Sequence, residues 1–443
     1  MPPEIESVPI PTGRGREAQR WMEYHGYVDT TPSIRSSDYE GVLHCPFQYY
    51  LSRRLGLSPA LRWSKALSRG SWFHKRLELY RDTPEVVASY TDRMLTDRLE
   101  ELEEICKSIG IKGESKDKVL DREKKDFACA MAWYEVAMNL QLPQQKLPTV
   151  NEFLKQEHFM HLGSEVGIRL HTSKIHRADK VMLTAMLDTL LYHKEQNSLY
   201  IIDAKTTSGS AEERLITCPL EFQTQHYMMV LKLAIESNLL QSIFNLPEDV
   251  RVGGMVHIAV QKPTIEFGMK DRDCEEIEHT LQRGPRKGQV EIRKNYSGEP
   301  RFENYLRRCE DWYRGQGEYE HLAERWNMSP PVNYSLTYGN LLEDEDYLDE
   351  YYARIALIRK YVQCKAIPKN FPRSANHLRQ FGRMSPFTPF YLTPPKEWPD
   401  IIKAESFIQI DRDEDVEFII DAPCVARLLA HGQPPSLGDK NGK

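Results

Sequence analysis

The 443-residue chain is defined first by what it lacks. No apolar run approaches the roughly 18–20 residues needed to cross a bilayer, so no membrane-spanning helix and no membrane partner are expected. The opening stretch, "MPPEIESVPIPTGRGRE", has no charged-then-apolar layout of a secretion signal, so a cytoplasmic location is expected. None of the eight cysteines (45, 106, 129, 218, 274, 309, 364 and 424) forms a CxxC pair. A zinc ribbon or thioredoxin-type site therefore has no support, and free thiols are expected. A GxxxxGK[ST] phosphate loop is missing, so no nucleotide-driven motor is visible. Internal repeats and long low-complexity segments are also missing. So is a basic excess, since the net charge is −6 and the pI near 6.2. That balance leaves nucleic acid as a partner only through a locally positive groove.

What is present is ordinary for a globular protein, with 40% hydrophobic and 28% charged residues. The length suits one large α/β core with insertions, or two domains. The Pro- and Gly-bearing residues 1–35 are expected to form a flexible arm. Ser36 to Tyr50 suits a helix, with "SSDYEG" offering capping residues. "RGSWFHKRLELY" reads as the beginning of another, and 85–140 is helical in composition around a polar "GIKGESKDK" loop. Short strand-like runs occupy 153–206, where "VMLTAMLDTLLYH" and "SLYIIDAKT" flank a turn-like "KEQNS" and should pair as a hairpin. A helix, "EFQTQHYMMVLKLAIES", and a returning strand, "GGMVHIAVQK", follow. Residues 301–327 and 342–364 look helical, and the end, "PPSLGDKNGK", has the composition of a disordered tail. The basic stretches "LSRRLGL", "SRGSWFHKR" and "GPRKGQVEIRK" read as solvated surface. The order of elements predicts an α/β fold with a central mixed sheet flanked by helices.

One stretch carries chemistry. In "LYIIDAKTTSG" (199–209) an apolar strand ends with Asp203 and Lys205, which project to the same side because side chains alternate. Asp188 lies inside the preceding strand, "AMLDTLL". An acid in a strand interior costs desolvation free energy, and two acids on paired strands repel. A divalent cation between them resolves both problems, and hard oxygen ligands select Mg2+ or Mn2+. An ammonium beside such a cation can orient an attacking water and stabilise developing negative charge. Hydrolysis of a phosphodiester is the reaction this set suits.

The acid, gap, acid-x-lysine pattern resembles the PD-(D/E)XK nuclease superfamily, whose restriction-endonuclease-like core is a mixed sheet flanked by helices. Three further stretches resemble its RecB-like and CRISPR-associated branch. "GSWFHKRLE" (70–78) is similar to the branch's glycine-to-histidine motif, which implies that His74 is a metal ligand. "FQTQHYMM" (222–229) is similar to its glutamine-to-tyrosine motif, implying that Gln223 and Tyr227 contact DNA or brace the lysine, with Gln225 the competing glutamine. "HCPFQYYLSRRLGL" (44–57) resembles the segment whose cysteine, in several relatives, is an iron–sulfur ligand. The matching C-terminal places hold Asn376 or its neighbours, Met384 and Tyr391, none of which replaces a thiolate, and Cys364 alone cannot complete a four-cysteine site. No iron–sulfur cluster is therefore expected. Glu157 is a candidate supporting acid, since related sheets often begin with a glutamate.

The resemblance implies a Mg2+- or Mn2+-dependent deoxyribonuclease, an exonuclease or end-processing enzyme of recombination, repair or phage DNA metabolism in a bacterial or phage-infected cell. His74, Asp188, Asp203 and the carbonyl of Ala204 would hold the metal, and Lys205 would assist the water. DNA ends or single strands would be the substrate, with a recombinase, helicase or polymerase as partner. The alternatives are a silent nucleic-acid-binding or assembly protein on the same fold and a restriction-like endonuclease. The expected division is a helical part at 36–150 carrying the histidine, a nuclease core at 151–265, a helical part at 266–431 packed on it, and a tail at 432–443.

Overall fold

The computed structural model describes residues 33–59, 65–109, 115–141, 148–172, 182–280, 282–283, 286, 289–363, 370–373, 379–380, 383–404, 407–409 and 418–424. Most of the expected arm and the whole tail lie outside these residues. The strands that matter are β1 (Ser33–Arg35), β2 (Phe159–Thr172), β3 (Met182–His193), β4 (Ser198–Thr207), β5 (Arg251–Gln261), β6 (Asp273–Thr280), β7 (Val290–Ser297), β8 (Val332–Tyr338) and β9 (Phe418–Cys424). A seven-stranded sheet runs β9-β2-β3-β4-β5-β8, with β1 beside β3. The pairs β9–β2, β4–β5 and β1–β3 are parallel and the others antiparallel. Strands β6 and β7 form a separate hairpin.

The longer helices that flank the sheet or extend from it are α1 (Ser36–His44), α2 (Lys65–Glu78), α3 (Pro84–Ile109), α4 (Lys116–Met138), α5 (Phe222–Glu236), α6 (Phe302–Arg314) and α7 (Glu345–Gln363). One face is covered by α1, α5 and α7, whose Val42, Leu231 and Ile358 share a core with Leu187, Leu190 and Ile201. The other is covered by α2, α4 and α6, whose Phe73, Trp133 and Tyr305 pack with Leu191, Ile202 and Val256. Burial from both sides explains why β3 and β4 read as near-continuous apolar runs. It also explains α5, in which twelve of fifteen residues are buried between the sheet and its neighbours.

The helix expected over Ser36–Tyr50 is broken. A following proline drives Cys45 out of the helical region (φ −158°, ψ 99°), so α1 stops at His44 and a short helix restarts at Pro46. Helix α2 begins earlier than expected, at Lys65, which puts "GSWFHKRLE" in its later turns. The expected hairpin is present, with His193 paired to Ser198. Two sheet strands, β8 and β9, come from the region expected to be helical. "VNYSLTY" has the period-two pattern of a strand with one half-buried face, short enough to be missed between helices.

Two of the arginines read as solvated are buried instead. Arg54 donates to the Tyr361 carbonyl at 2.7 Å, and Arg69 is held by Asp126 at 2.6 Å and by Glu266, over the ring of Trp133. Their partners lie too far along the chain to be visible locally. Among the described residues, no helix is long and apolar enough to cross a membrane.

Candidate active site

The site forms where β3 loses a neighbour. On the side away from β2, β1 pairs with Met182–Thr184 of β3, whereas β4 pairs with Thr189–His193. Between these two ladders, residues 185–188 line a notch. Asp188 stands at its rim, one register step past the last β3–β4 pair, Thr189 and Ile202. The same step on β4 is Asp203, so the two acids face each other across opened strands. Like charges placed this way destabilise a sheet unless compensated.

The structure brings the expected partners to these acids. His74, on α2, puts Nδ1 3.0 Å from Asp188 Oδ2. That contact lacks hydrogen-bond alignment, and Asp188 Oδ2 is buried without a hydrogen-bond partner among the described residues. Burial opposes the imidazolium of His74, but the Asp188 carboxylate outweighs it and raises the pKa. Lys205 donates to Asp203 Oδ1 at 2.7 Å, as the shared strand face predicts. Asp203 is only 2% exposed. Burial alone would push its carboxyl up; the charge of Lys205, helped by His257, holds it well below the usual carboxylate range. Desolvation likewise disfavours the Lys205 ammonium, yet Asp203 and then Asp188 raise its pKa above the ordinary value.

Helix α5 supplies the rest. Gln223 donates to Asp203 Oδ1 at 3.2 Å. Tyr227, one turn on, is buried against the same charges with its hydroxyl near Ser36, and burial followed by the charge of Asp188 pushes its pKa up to about 12. As placed, Gln223 contacts the acid–lysine pair directly, whereas the Tyr227 hydroxyl is turned to Ser36. Gln225 points elsewhere, donating to Glu350 at 3.4 Å and accepting from Arg354 at 2.9 Å. Ala204, between Asp203 and Lys205 on β4, is fully buried and is the register partner of Ile258 of β5.

Glu157 is exposed in the turn before β2 and is not drawn in. Glu165, eight residues later, is also exposed but lies closer to the acids. It falls opposite Asp188 in the β2–β3 register, between the pairs Ser164–Thr189 and Val166–Leu187, at a left-handed φ of 50°. Desolvation and the Asp188 charge raise its pKa. Glu78, one turn beyond His74 on α2, completes the acidic wall; burial and then Glu165 push its carboxyl up to about 7. The i, i+4 spacing from His74 was a usable signal for Glu78. Glu165 had none, because its position depends on strand register.

Among the described residues, no three metal-ligating side chains are already drawn into one coordination group. His74 is engaged with Asp188, and Asp203 with Lys205. The donor chemistry nevertheless fits a hard divalent cation. Two carboxylates and an imidazole converge at one notch, and the buried Asp188 Oδ2 carries lone pairs that no hydrogen bond uses. Away from the notch, Cys45 Sγ lies 2.8 Å from the Tyr391 hydroxyl, inside a core with Phe47 and Trp398. Cys364 and Asn376 lie outside the described residues, and only the backbone of Met384 is described, in a two-residue strand.

A family model described as the PD-(D/E)XK nuclease superfamily matches residues 36–333, from the first residue of α1 into β8. No curated protein matches the chain.

Proposed function

The chain belongs to the PD-(D/E)XK nuclease superfamily, and from that premise we propose that it is a stand-alone, metal-dependent deoxyribonuclease that works at DNA ends or on single strands. The observation that supports this reading is the meeting of His74, Asp188, Asp203 and Lys205 at a single notch in the sheet. His74, Asp188, Asp203 and the Ala204 carbonyl are the groups that would hold Mg2+ or Mn2+. When bound, such an ion polarises the scissile phosphate and makes water a better nucleophile. Lys205, kept protonated by its acidic neighbours, offsets the charge that develops on the phosphoryl oxygens. Gln223 holds the acid–lysine pair in place, with Tyr227 buried beside it. All four groups of the set are intact, which speaks against a silent binding protein.

Placement in the RecB-like branch rests on the order of the histidine, acid-x-lysine and glutamine-to-tyrosine motifs. The Cys45–Tyr391 contact supports a variant that packs its C-terminal segment without an iron–sulfur cluster. A role in recombination, repair or phage DNA metabolism, with a recombinase, helicase or polymerase partner in the cytoplasm, follows from that placement. The test is a cleavage assay on end-labelled linear, closed circular and single-stranded DNA with Mg2+ or Mn2+. Linear and single-stranded DNA should be degraded while closed circles survive. Cleavage of closed circles or a discrete band pattern would overturn the end-dependent reading, and inertness toward all three would overturn the enzyme.

A further inference from the structure

The polar row does not stop at the two acids. His257 of β5 is the parallel-register neighbour of Asp203, so it projects from the same face of the sheet. It is 1% exposed. Its Nε2 lies 3.0 Å from Thr337 Oγ1 on β8, while its Nδ1 lies 4.0 Å from Asp203 Oδ2. Nδ1 is buried and has no hydrogen-bond partner among the described residues. We propose that His257 is a positioning residue that holds the Asp203 carboxylate in the orientation needed to take a divalent cation. The proposal rests on the reading that Asp203 helps hold that cation.

The two oxygens of Asp203 have different surroundings. Oδ1 accepts from Lys205 and Gln223, whereas Oδ2 faces His257. An Nδ1 lone pair aimed at a carboxylate oxygen would repel it, while an Nδ1–H attracts it. The favoured tautomer therefore carries its proton on Nδ1, and the Thr337 hydroxyl donates to Nε2. At 4.0 Å the imidazole and carboxylate interact beyond hydrogen-bond length, but in a water-poor interior where such attraction is strengthened. With Lys205 and Gln223 donating to one oxygen and the imidazole attracting the other, rotation of the carboxylate plane is disfavoured.

Thr337 is itself held in place. Gly254 of β5 has φ +147°, and a Cβ there would come within 2.2 Å of the Thr337 carbonyl oxygen. Only glycine lets β5 and β8 approach this closely, and that approach sets the reach of the Thr337 hydroxyl. The arrangement is a carboxylate oriented by an imidazole that is oriented by a hydroxyl. Such outer partners commonly change metal affinity about 10- to 100-fold when removed.

The test measures Mn2+ binding by calorimetry and by the spin-resonance signal of free Mn2+, without DNA. It compares wild type with His257→Ala, His257→Asn, His257→Gln, Thr337→Val and Asp203→Asn, each checked for folding by circular dichroism. Asparagine places an amide nitrogen where Nδ1 was; glutamine reaches instead toward the Nε2 position. His257→Ala and His257→Gln should bind roughly 10-fold more weakly. His257→Asn should recover to within about threefold of wild type, and Thr337→Val should fall between. If His257→Ala does not fold, the asparagine–glutamine comparison carries the same decision. Equal weakening by asparagine and glutamine, or wild-type affinity in His257→Gln while Asp203→Asn loses binding, would overturn the positioning role. Wild-type affinity in Asp203→Asn would overturn the metal reading and this proposal with it.

Discussion

Gln223 and Gln225 sit two residues apart on α5 and serve different carboxylates, the first donating to Asp203 and the second to Glu350. Their substitutions should therefore separate cleanly. Gln223→Ala should slow DNA cleavage by about 10-fold or more through looser control of Asp203. Gln225→Ala should leave cleavage within about twofold and cost roughly 1 kcal/mol of stability, because it removes hydrogen bonds to α7. Cleavage rates and urea unfolding of the two variants provide the comparison. Equal loss of activity in both would contradict the division of labour.

Lys205→Ala should abolish cleavage, with a loss of at least about 100-fold, because it removes the positive charge proposed to face the reacting phosphate. It also strips the buried Asp203 of its main counter-charge. A destabilisation of roughly 1–3 kcal/mol is expected, reduced from the fully buried case because the lysine side chain is 23% exposed. Adding Asp203→Asn should restore stability without restoring cleavage. A double variant no more stable than the single one would show that the pair is not coupled as described.

His226 gives the protein an acid-sensitive anchor beneath α5. It is fully buried, and the Thr184 carbonyl 3.0 Å from Nε2 can only accept, so Nε2 carries the proton and the Tyr351 hydroxyl donates to Nδ1. Burial disfavours the charged ring and lowers its pKa to about 4, against an ordinary value near 6.5. Between those two values the unfolded chain binds a proton that the folded one refuses. Stability is therefore complete above about pH 6.5, falls as the pH drops, and has lost on the order of 3 kcal/mol from this group near pH 4. Urea unfolding of wild type and His226→Gln across this range measures it. The wild type should show the steeper decline; parallel curves would rule the anchor out.

The sequence made the acid–lysine pair legible because strand alternation alone puts residues 203 and 205 on one side. The hairpin that brings Asp188 near them was equally local, as were the boundaries of α5. Assigning His74 required the family resemblance, since a helix histidine meets a carboxylate 114 positions away only through tertiary packing. Glu165 and His257 were hidden for a different reason. Each is named by the register between strands, and a slip of one residue would send it to the opposite face. The two buried arginines, which lie on helical segments outside the sheet, misled in another way. Charge is local in the sequence, but the partners that bury it are not.

Strand β9 carries a consequence for how the molecule is made. Residues 418–424 lie parallel to β2 and cover the edge of a strand that ended some 250 positions earlier. Until that late segment emerges from the ribosome, the newly synthesised β2 presents open backbone donors and acceptors, a template for pairing with another chain. Completion of the sheet depends on contacts of very long sequence separation, which are slow to form. Removing the last strand should then act less on the finished notch than on the yield of chains that reach it.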